Sequence, residues 1–62
     1  MARKQNLDIR AEAKVNDVYL YQIAEKLGIR DTEFSVELRH ELPNDRKAEI
    51  RQAIAEVRKE NQ

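Results

Sequence analysis

The sequence predicts a small all-α domain of four helices, and three observations lead to this fold class. The chain has 62 residues, enough for one domain, and a chain of this length buries only about 60% of its unfolded surface on folding. It contains one glycine and one proline, and 39% of its residues are charged, whereas β proteins need more turn residues. Apolar residues recur at spacings of three and four, the period of a helix with one buried face.

The chain begins with a basic segment. Residues 1–5 are expected to form a flexible arm that carries Arg3 and Lys4, and residues 6–62 to form a single domain. The arm leads into polar residues, so it does not resemble a signal peptide. The longest apolar run covers residues 18–21, far fewer than the roughly 20 residues that cross a bilayer. We therefore expect a soluble, cytoplasmic protein that makes no membrane contact.

The first helix is predicted over residues 7–15. Asn6 is its expected N-cap, because an asparagine side chain accepts hydrogen bonds from the first turn of a helix. Ile9 and Ala13 are four residues apart and form its inward side. Asn16-Asp17 is expected to end the helix, since asparagine tolerates the left-handed conformation found at helix C-termini.

The second helix is predicted over residues 20–27 and is the most clearly amphipathic. Its apolar side chains follow the spacing i, i+3, i+4, i+7: Leu20, Ile23, Ala24 and Leu27. Gly28 ends this helix, because glycine enters the left-handed region without a steric penalty.

The third helix is predicted over residues 31–41, with Asp31 or Thr32 as its N-cap. Pro43 limits it, because the residue before a proline is biased away from helix. The fourth helix is predicted over residues 44–60. The inward side chains expected from the two helices are Phe34, Leu38, Leu42, Ile50, Ala53, Ile54 and Val57.

The connection between the second and third helices is the most informative part of the chain. Two helices joined by three or four residues with a glycine cross at roughly 90–120°, which requires a small residue where they touch. Ala24, four residues before Gly28, meets that requirement, and Ile29 and Phe34 supply apolar groups inside the angle. This combination predicts a helix-turn-helix.

Residues 20–29, LYQIAEKLGI, resemble the first half of the helix-turn-helix in lambda-repressor-like proteins. Residues 18–24, together with Phe34-Ser35 and Leu38-Arg39, resemble short uncharacterised regulators of bacterial phages and mobile elements. The resemblance covers roughly residues 7–57. It implies a compact all-α domain whose third helix enters the major groove of double-stranded DNA.

The resemblance also implies a set of DNA-contacting residues, because the start of the recognition helix reads base edges in that docking geometry. The residues expected to read bases are Arg30, Asp31, Thr32, Glu33 and Val36. Gln22 is expected to hold a phosphate, Ser35 has an expected role in packing, capping or phosphate contact, and Arg39 and His40 could reach backbone or base. Arg3 and Lys4 could follow the backbone or the minor groove.

The sequence departs from the pattern of the similar regulators at one place, and this departure favours an alternative function. The similar regulators tend to carry basic residues directly after the serine, whereas this chain has Val36 and Glu37. Glu33, Glu37 and Glu41 are spaced to form an acidic stripe that would repel phosphates. They could instead pair with nearby arginines or with a neighbouring helix. The chain also balances 12 basic against 12 acidic residues. The alternative is a protein-interaction module that masks a DNA-binding partner with these carboxylates.

The residue types argue against catalysis and cofactor binding. The chain has no cysteine and a single histidine, His40, so neither a nucleophile–base pair nor a zinc site is expected. No glycine-rich phosphate loop is present, and we expect no cofactor. Tyr19 and Tyr21 are expected to be half-buried packing residues. Val15 and Val36 have no obvious inward place and are candidates for a contact surface.

A homodimer is the expected form if DNA is the target, because one such module buries too little surface for tight specific binding. Two half-sites would then lie about one helical turn apart. The last helix is the expected dimer contact, through Ile54 and Val57.

Overall fold

The computed structural model describes residues 5–61, which form four helices. Their bounds are α1 Leu7–Val15, α2 Leu20–Leu27, α3 Asp31–Glu37 and α4 Asn44–Glu60. The described part of the chain contains no strand, so the all-α, four-helix prediction is confirmed. The predicted bounds are correct for α1, α2 and α4, whereas the third helix, predicted over residues 31–41, ends four residues early. Arg3 and Lys4 of the expected arm lie outside the described residues.

The long helix α4 organises the domain, because it packs against both α1 and α2, and α2 in turn packs against α3. All four helices and the loop after α1 contribute to one apolar core. Its buried residues are Ile9, Ala13, Val18, Ile23, Ala24, Phe34, Leu38, Ile50, Ala53, Ile54 and Val57. Within residues 5–61, no helix has both the length and the hydrophobicity needed to cross a membrane.

Asn6 and Asn16 occupy the two cap positions of α1, as expected. Asn6 precedes the helix, but with φ 59° and ψ 40° it is left-handed, and its side chain makes no capping bond. At the other end, Asn16 has φ −94°, and the left-handed residue is Asp17, with φ 56°. The chain then reverses, and the N–H of Val18 donates to the carbonyl of Ala13 at 2.8 Å. Both cap positions are therefore correct, whereas the side-chain cap expected of Asn6 and the left-handed conformation expected of Asn16 are not found.

The connection between α2 and α3 has the expected left-handed glycine. Gly28 has φ 76° and ψ 26°, and the N–H of Ile29 donates to the carbonyl of Ala24 at 3.0 Å. Arg30, in extended conformation, is the residue before α3. Asp31 is therefore the first helical residue rather than the N-cap, which corrects the predicted cap by one position.

The early end of α3 follows from hydrogen bonds that Asn6 makes with the next segment. Its amide nitrogen donates to the carbonyls of Leu38 and His40 at 3.1 and 2.8 Å, and its side-chain oxygen accepts from the N–H of Leu42 at 2.9 Å. Asn6 is 0% exposed. Because the buried amide binds these backbone groups, the chain leaves the helix after Glu37.

Asn6 belongs to a group of polar side chains that joins the start of α1, residues 38–42 and α4. We call this group the polar clamp, and it consists of Asn6, Asp8, Glu41, Lys47 and Arg51. Its centre is Lys47, which is only 8% exposed.

Each charge in the polar clamp has a partner of opposite sign. The ammonium group of Lys47 binds the carboxylates of Glu41 and of Asp8, the latter at 3.0 Å, and Arg51 contacts Asp8 at 3.1 Å. Hydrogen bonds from Lys47 lower the pKa of both Asp8 and Glu41. Those bonds, first to Glu41 and then to Asp8, raise the pKa of Lys47. Burying the ammonium is tolerated because both carboxylates compensate its charge.

Candidate nucleic-acid interface

Helix α3 has an inner side that fixes it and an outer side that is exposed. Phe34 and Leu38 are each 1% exposed and belong to the core. The remaining exposed side chains form what we call the outer face of α3: Asp31, Thr32, Glu33, Ser35 and Val36. Val36 is 54% exposed, so an apolar group lies in solvent among polar ones. The structure therefore places Ser35 and four of the five predicted base-reading residues on one accessible helix.

Three further residues of the predicted site lie beside this outer face. Arg30 precedes the helix, Arg39 and His40 follow it, and all three are exposed. Arg39 and His40 were expected to be helical, but they lie in the loop after α3, which ends at Glu37. The carbonyl of His40 accepts a hydrogen bond from Asn6, which ties the backbone of this loop to the domain.

Gln22, the expected phosphate ligand, has a structural role at the start of α2. Its side-chain oxygen accepts from the N–H of Tyr19 at 2.9 Å, so it stabilises an end that otherwise lacks a side-chain cap. The side-chain nitrogen has no hydrogen-bond partner within residues 5–61, which leaves a donor available to a ligand.

The acidic stripe predicted for the third helix does not form. Glu37 binds Arg46 of α4, with 3.1 Å between Nη2 and Oε2, and this contact raises the pKa of Arg46. Glu41 lies beyond the helix, where Lys47 and the N–H of Asn6 bind its carboxylate. The alternative prediction, that these glutamates pair with a neighbouring helix, is confirmed for Glu37 and Glu41. Of the three, only Glu33 is left on the outer face.

The two tyrosines are more exposed than expected. Tyr19 and Tyr21 are 67% and 52% exposed, so the prediction of half-buried packing residues is wrong. Their rings stack on each other, with centroids 5.9 Å apart and planes 11° apart. The sequence signal that could have shown this is the position of both residues at the start of α2, away from its apolar stripe. Val15, 82% exposed, is accessible as the sequence indicated.

The expected dimer contact is absent from the surface. Ile54 and Val57 are 1% and 3% exposed because the other helices cover them, so they are not available to a second copy. Among residues 5–61 no group of three or more histidine, aspartate and glutamate side chains is arranged to hold a metal ion.

No protein-family model matches the chain, and no curated protein or solved structure matches it either. The function has to be argued from the arrangement of the residues themselves.

Proposed function

We propose that this protein binds double-stranded DNA as a small sequence-specific regulator and reads the major groove with α3. One observation carries the proposal: the outer face of α3 is exposed along the whole helix, while Phe34 and Leu38 fix the helix from below. A side chain that reads bases must be accessible and also held in position, and both conditions are met here. The three-residue connection from Gly28 keeps α3 close to α2.

The dimensions and side chains of α3 suit this role. With its side chains an α-helix is about 10–12 Å across, and the major groove is about 12 Å wide, so the seven-residue helix α3 can enter it. In such a complex Arg30 would bond guanine, Glu33 would accept from the cytosine amino group, and Val36 would contact the thymine methyl group. Thr32 and Ser35 would supply hydroxyl groups that accept or donate.

The internal ion pairs reduce the electrostatic objection to DNA binding. With Glu37 and Glu41 bound by α4, the carboxylates nearest the outer face are those of Asp31 and Glu33. Arg30 and Arg39 offset these two carboxylates, and with the exposed Glu25 nearby the local charge is slightly rather than strongly negative. We therefore expect weak non-specific binding, with most discrimination coming from base contacts.

Two copies on neighbouring half-sites remain part of the proposal, because one module of this size buries too little DNA surface for tight binding. The contact between the copies must involve a surface other than Ile54 and Val57, since these side chains are in the core. The resemblance of residues 18–24, together with Phe34-Ser35 and Leu38-Arg39, to regulators of phages and mobile elements favours action in the bacterial cytoplasm.

A protein-interaction module is the second candidate, and one observation favours it. Glu25, Asp31 and Glu33 are exposed near the start of α3 and have no ion-pair partner within residues 5–61. Carboxylates in this position could occupy the phosphate sites of a DNA-binding partner and mask its surface.

Fluorescence anisotropy with labelled random duplexes tests the proposal directly. We expect salt-dependent binding, because each phosphate neutralised contributes about 0.9 to the slope of log K against log salt. Val36→Arg should steepen that slope by roughly 0.9. The matched control is Ala55→Arg, which adds the same charge to an exposed position of α4 and should change the slope much less.

Two results would contradict the DNA proposal. If the protein does not bind duplexes even at low salt, the masking module becomes the better explanation. If Val36→Arg and Ala55→Arg have equal effects, the outer face of α3 is not the surface that approaches DNA.

A further inference from the structure

A groove of about 300 Å³ lies between the second half of α1 and the start of α2. Arg10 and Lys14 from α1 and Tyr19 from the connection line it, and Val18 and Leu20 form part of its apolar wall. None of these residues was included in the predicted DNA-binding set, and the groove lies outside the outer face of α3.

The cations of this groove differ from most others near the core. Four other cations form ion pairs: Lys26, Arg46, Lys47 and Arg51. These pairs connect α4 with other parts of the chain, except the pair of Arg46 with Glu49, which lies within α4. No comparable ion pair engages the two groove cations within residues 5–61.

The charge balance of the groove is positive. Lys14 is exposed, and Arg10 uses its Nε to donate to the carbonyl of Gln5 at 3.0 Å, so its terminal guanidinium nitrogens remain for another acceptor. Asp17 is the one carboxylate among the lining residues, against two cations. A ligand with negative charge at its surface is therefore complementary to the groove.

The stacked tyrosines connect the groove with the region that approaches DNA in the proposed complex. Tyr19 lines the groove and stacks on Tyr21. Tyr21 in turn borders a shallow depression together with Arg30 and Asp31 at the start of α3. The stacked rings thus link two separate depressions, and the second one carries Arg30 together with the carboxylates of Glu25 and Asp31.

We propose that the groove binds the phosphodiester backbone of the same DNA duplex, beside the bases contacted by α3. This inference rests on the proposed function and adds a second contact region to it. Arg10 and Lys14 supply charge to phosphate oxygens, and the exposed hydroxyl of Tyr19 supplies a neutral donor, as in many backbone contacts that position a protein without reading sequence. The groove thereby fixes the register of α3 along the duplex.

The test compares two double variants that remove equal charge. Arg10→Gln with Lys14→Gln neutralises the groove, and Arg58→Gln with Lys59→Gln neutralises two exposed cations at the end of α4. Anisotropy titrations with random duplex at several salt concentrations should give a slope lower by about 2 for the groove variant, at about 0.9 per phosphate contact. The α4 variant should remain close to the unmodified protein, and the preference among duplex sequences should be unchanged in both.

The outcomes separate the two proposals. If the unmodified protein does not bind duplex, the proposed function fails. If it binds but the two double variants behave alike, only the groove inference fails. Circular dichroism checks that each variant is folded, and Lys14→Gln alone provides a second groove variant, with an expected slope change of about 0.9.

The tyrosines provide an independent readout. The chain has two tyrosines and no tryptophan, so intrinsic emission reports on Tyr19 and Tyr21 alone. Bound duplex should protect this emission from acrylamide quenching, and Tyr19→Phe should keep that protection for Tyr21. Unchanged quenching in a sample shown by anisotropy to be saturated would overturn the inference.

Discussion

The polar clamp and the outer face of α3 are both rich in polar and charged residues, yet they are organised in opposite ways. In the polar clamp, Asn6 and Lys47 are buried and bind partners from other segments of the chain. On the outer face, Thr32, Glu33 and Ser35 are exposed, and their side chains have no partner within residues 5–61. One region uses its polarity to fix the chain, and the other keeps it available to a ligand.

Helix α4 determines which charges are available to a ligand. All ion pairs within residues 5–61 include a residue of α4. Glu37 and Glu41 are bound because they lie next to this helix, whereas Glu33 is exposed and forms no ion pair within residues 5–61. The spacing of four residues predicts a single acidic stripe of all three glutamates. In the structure only Glu37 and Glu41 are paired, because only they lie beside α4.

The largest expected effect comes from breaking the inner side of α3. Phe34→Ala should lower the free energy of unfolding by about 3–5 kcal/mol, because it removes a buried aromatic side chain and leaves a cavity. Val36→Ala, two residues away on the outer face, should change it by less than about 0.5 kcal/mol. Urea unfolding followed by circular dichroism measures both. Similar losses for the two variants would show that the outer face is also packed.

The next effect concerns the polar clamp. Asn6→Ala should lower the free energy of unfolding by about 2–4 kcal/mol, because the backbone groups of Leu38, His40 and Leu42 lose a buried partner. Asn6→Gly is the matched control, since glycine accepts the left-handed conformation at this position. Both variants should unfold at lower urea concentrations than the unmodified protein. The alanine variant should have the lower free energy of unfolding of the two. A glycine variant as stable as the unmodified protein would mean that backbone conformation, rather than the side-chain bonds, is the role of Asn6.

The smallest expected effect is the pH dependence of the polar clamp. The pKa values of Asp8 and Glu41 are lower in the folded protein than in the unfolded chain. Their contribution to stability is therefore complete above the unfolded values, near about 4, and is lost as the pH falls through the folded values. For Lys47 the pKa is raised, so its contribution is complete below the unfolded value of about 10.4 and is lost as the pH rises through the folded value.

Lys47→Met isolates this pH effect. The stability difference between the unmodified protein and Lys47→Met should be largest near neutral pH and should shrink on acidification. Lys59→Met, at an exposed position near the end of α4, is the control and should give a difference that does not vary with pH. Thermal unfolding between about pH 3 and pH 8 measures these stability differences. This range includes the pKa values of the carboxylates in the unfolded chain. A constant difference for Lys47→Met would exclude Asp8 and Glu41 as its energetic partners.

Most of the fold was predictable because local rules and the core agree. The spacing of Leu20, Ile23 and Leu27 and the position of Gly28 identified α2 and its end without tertiary information. The outer face of α3 was also largely predictable, since Phe34 and Leu38 mark the buried side and the residues between them must then be exposed. The length of α3 was not, because its end depends on Asn6, more than 30 residues away along the chain.

Local sequence patterns were sufficient to predict the helical class, the boundaries of three helices and the left-handed turn at Gly28. These features depend on contacts within a few residues and on the period of apolar side chains. The packing of the helices sets which charges are neutralised, where α3 ends and how far the two tyrosines are exposed. Those properties depend on contacts between distant segments, and side-chain spacing along one helix carries no information about what the next helix places beside it.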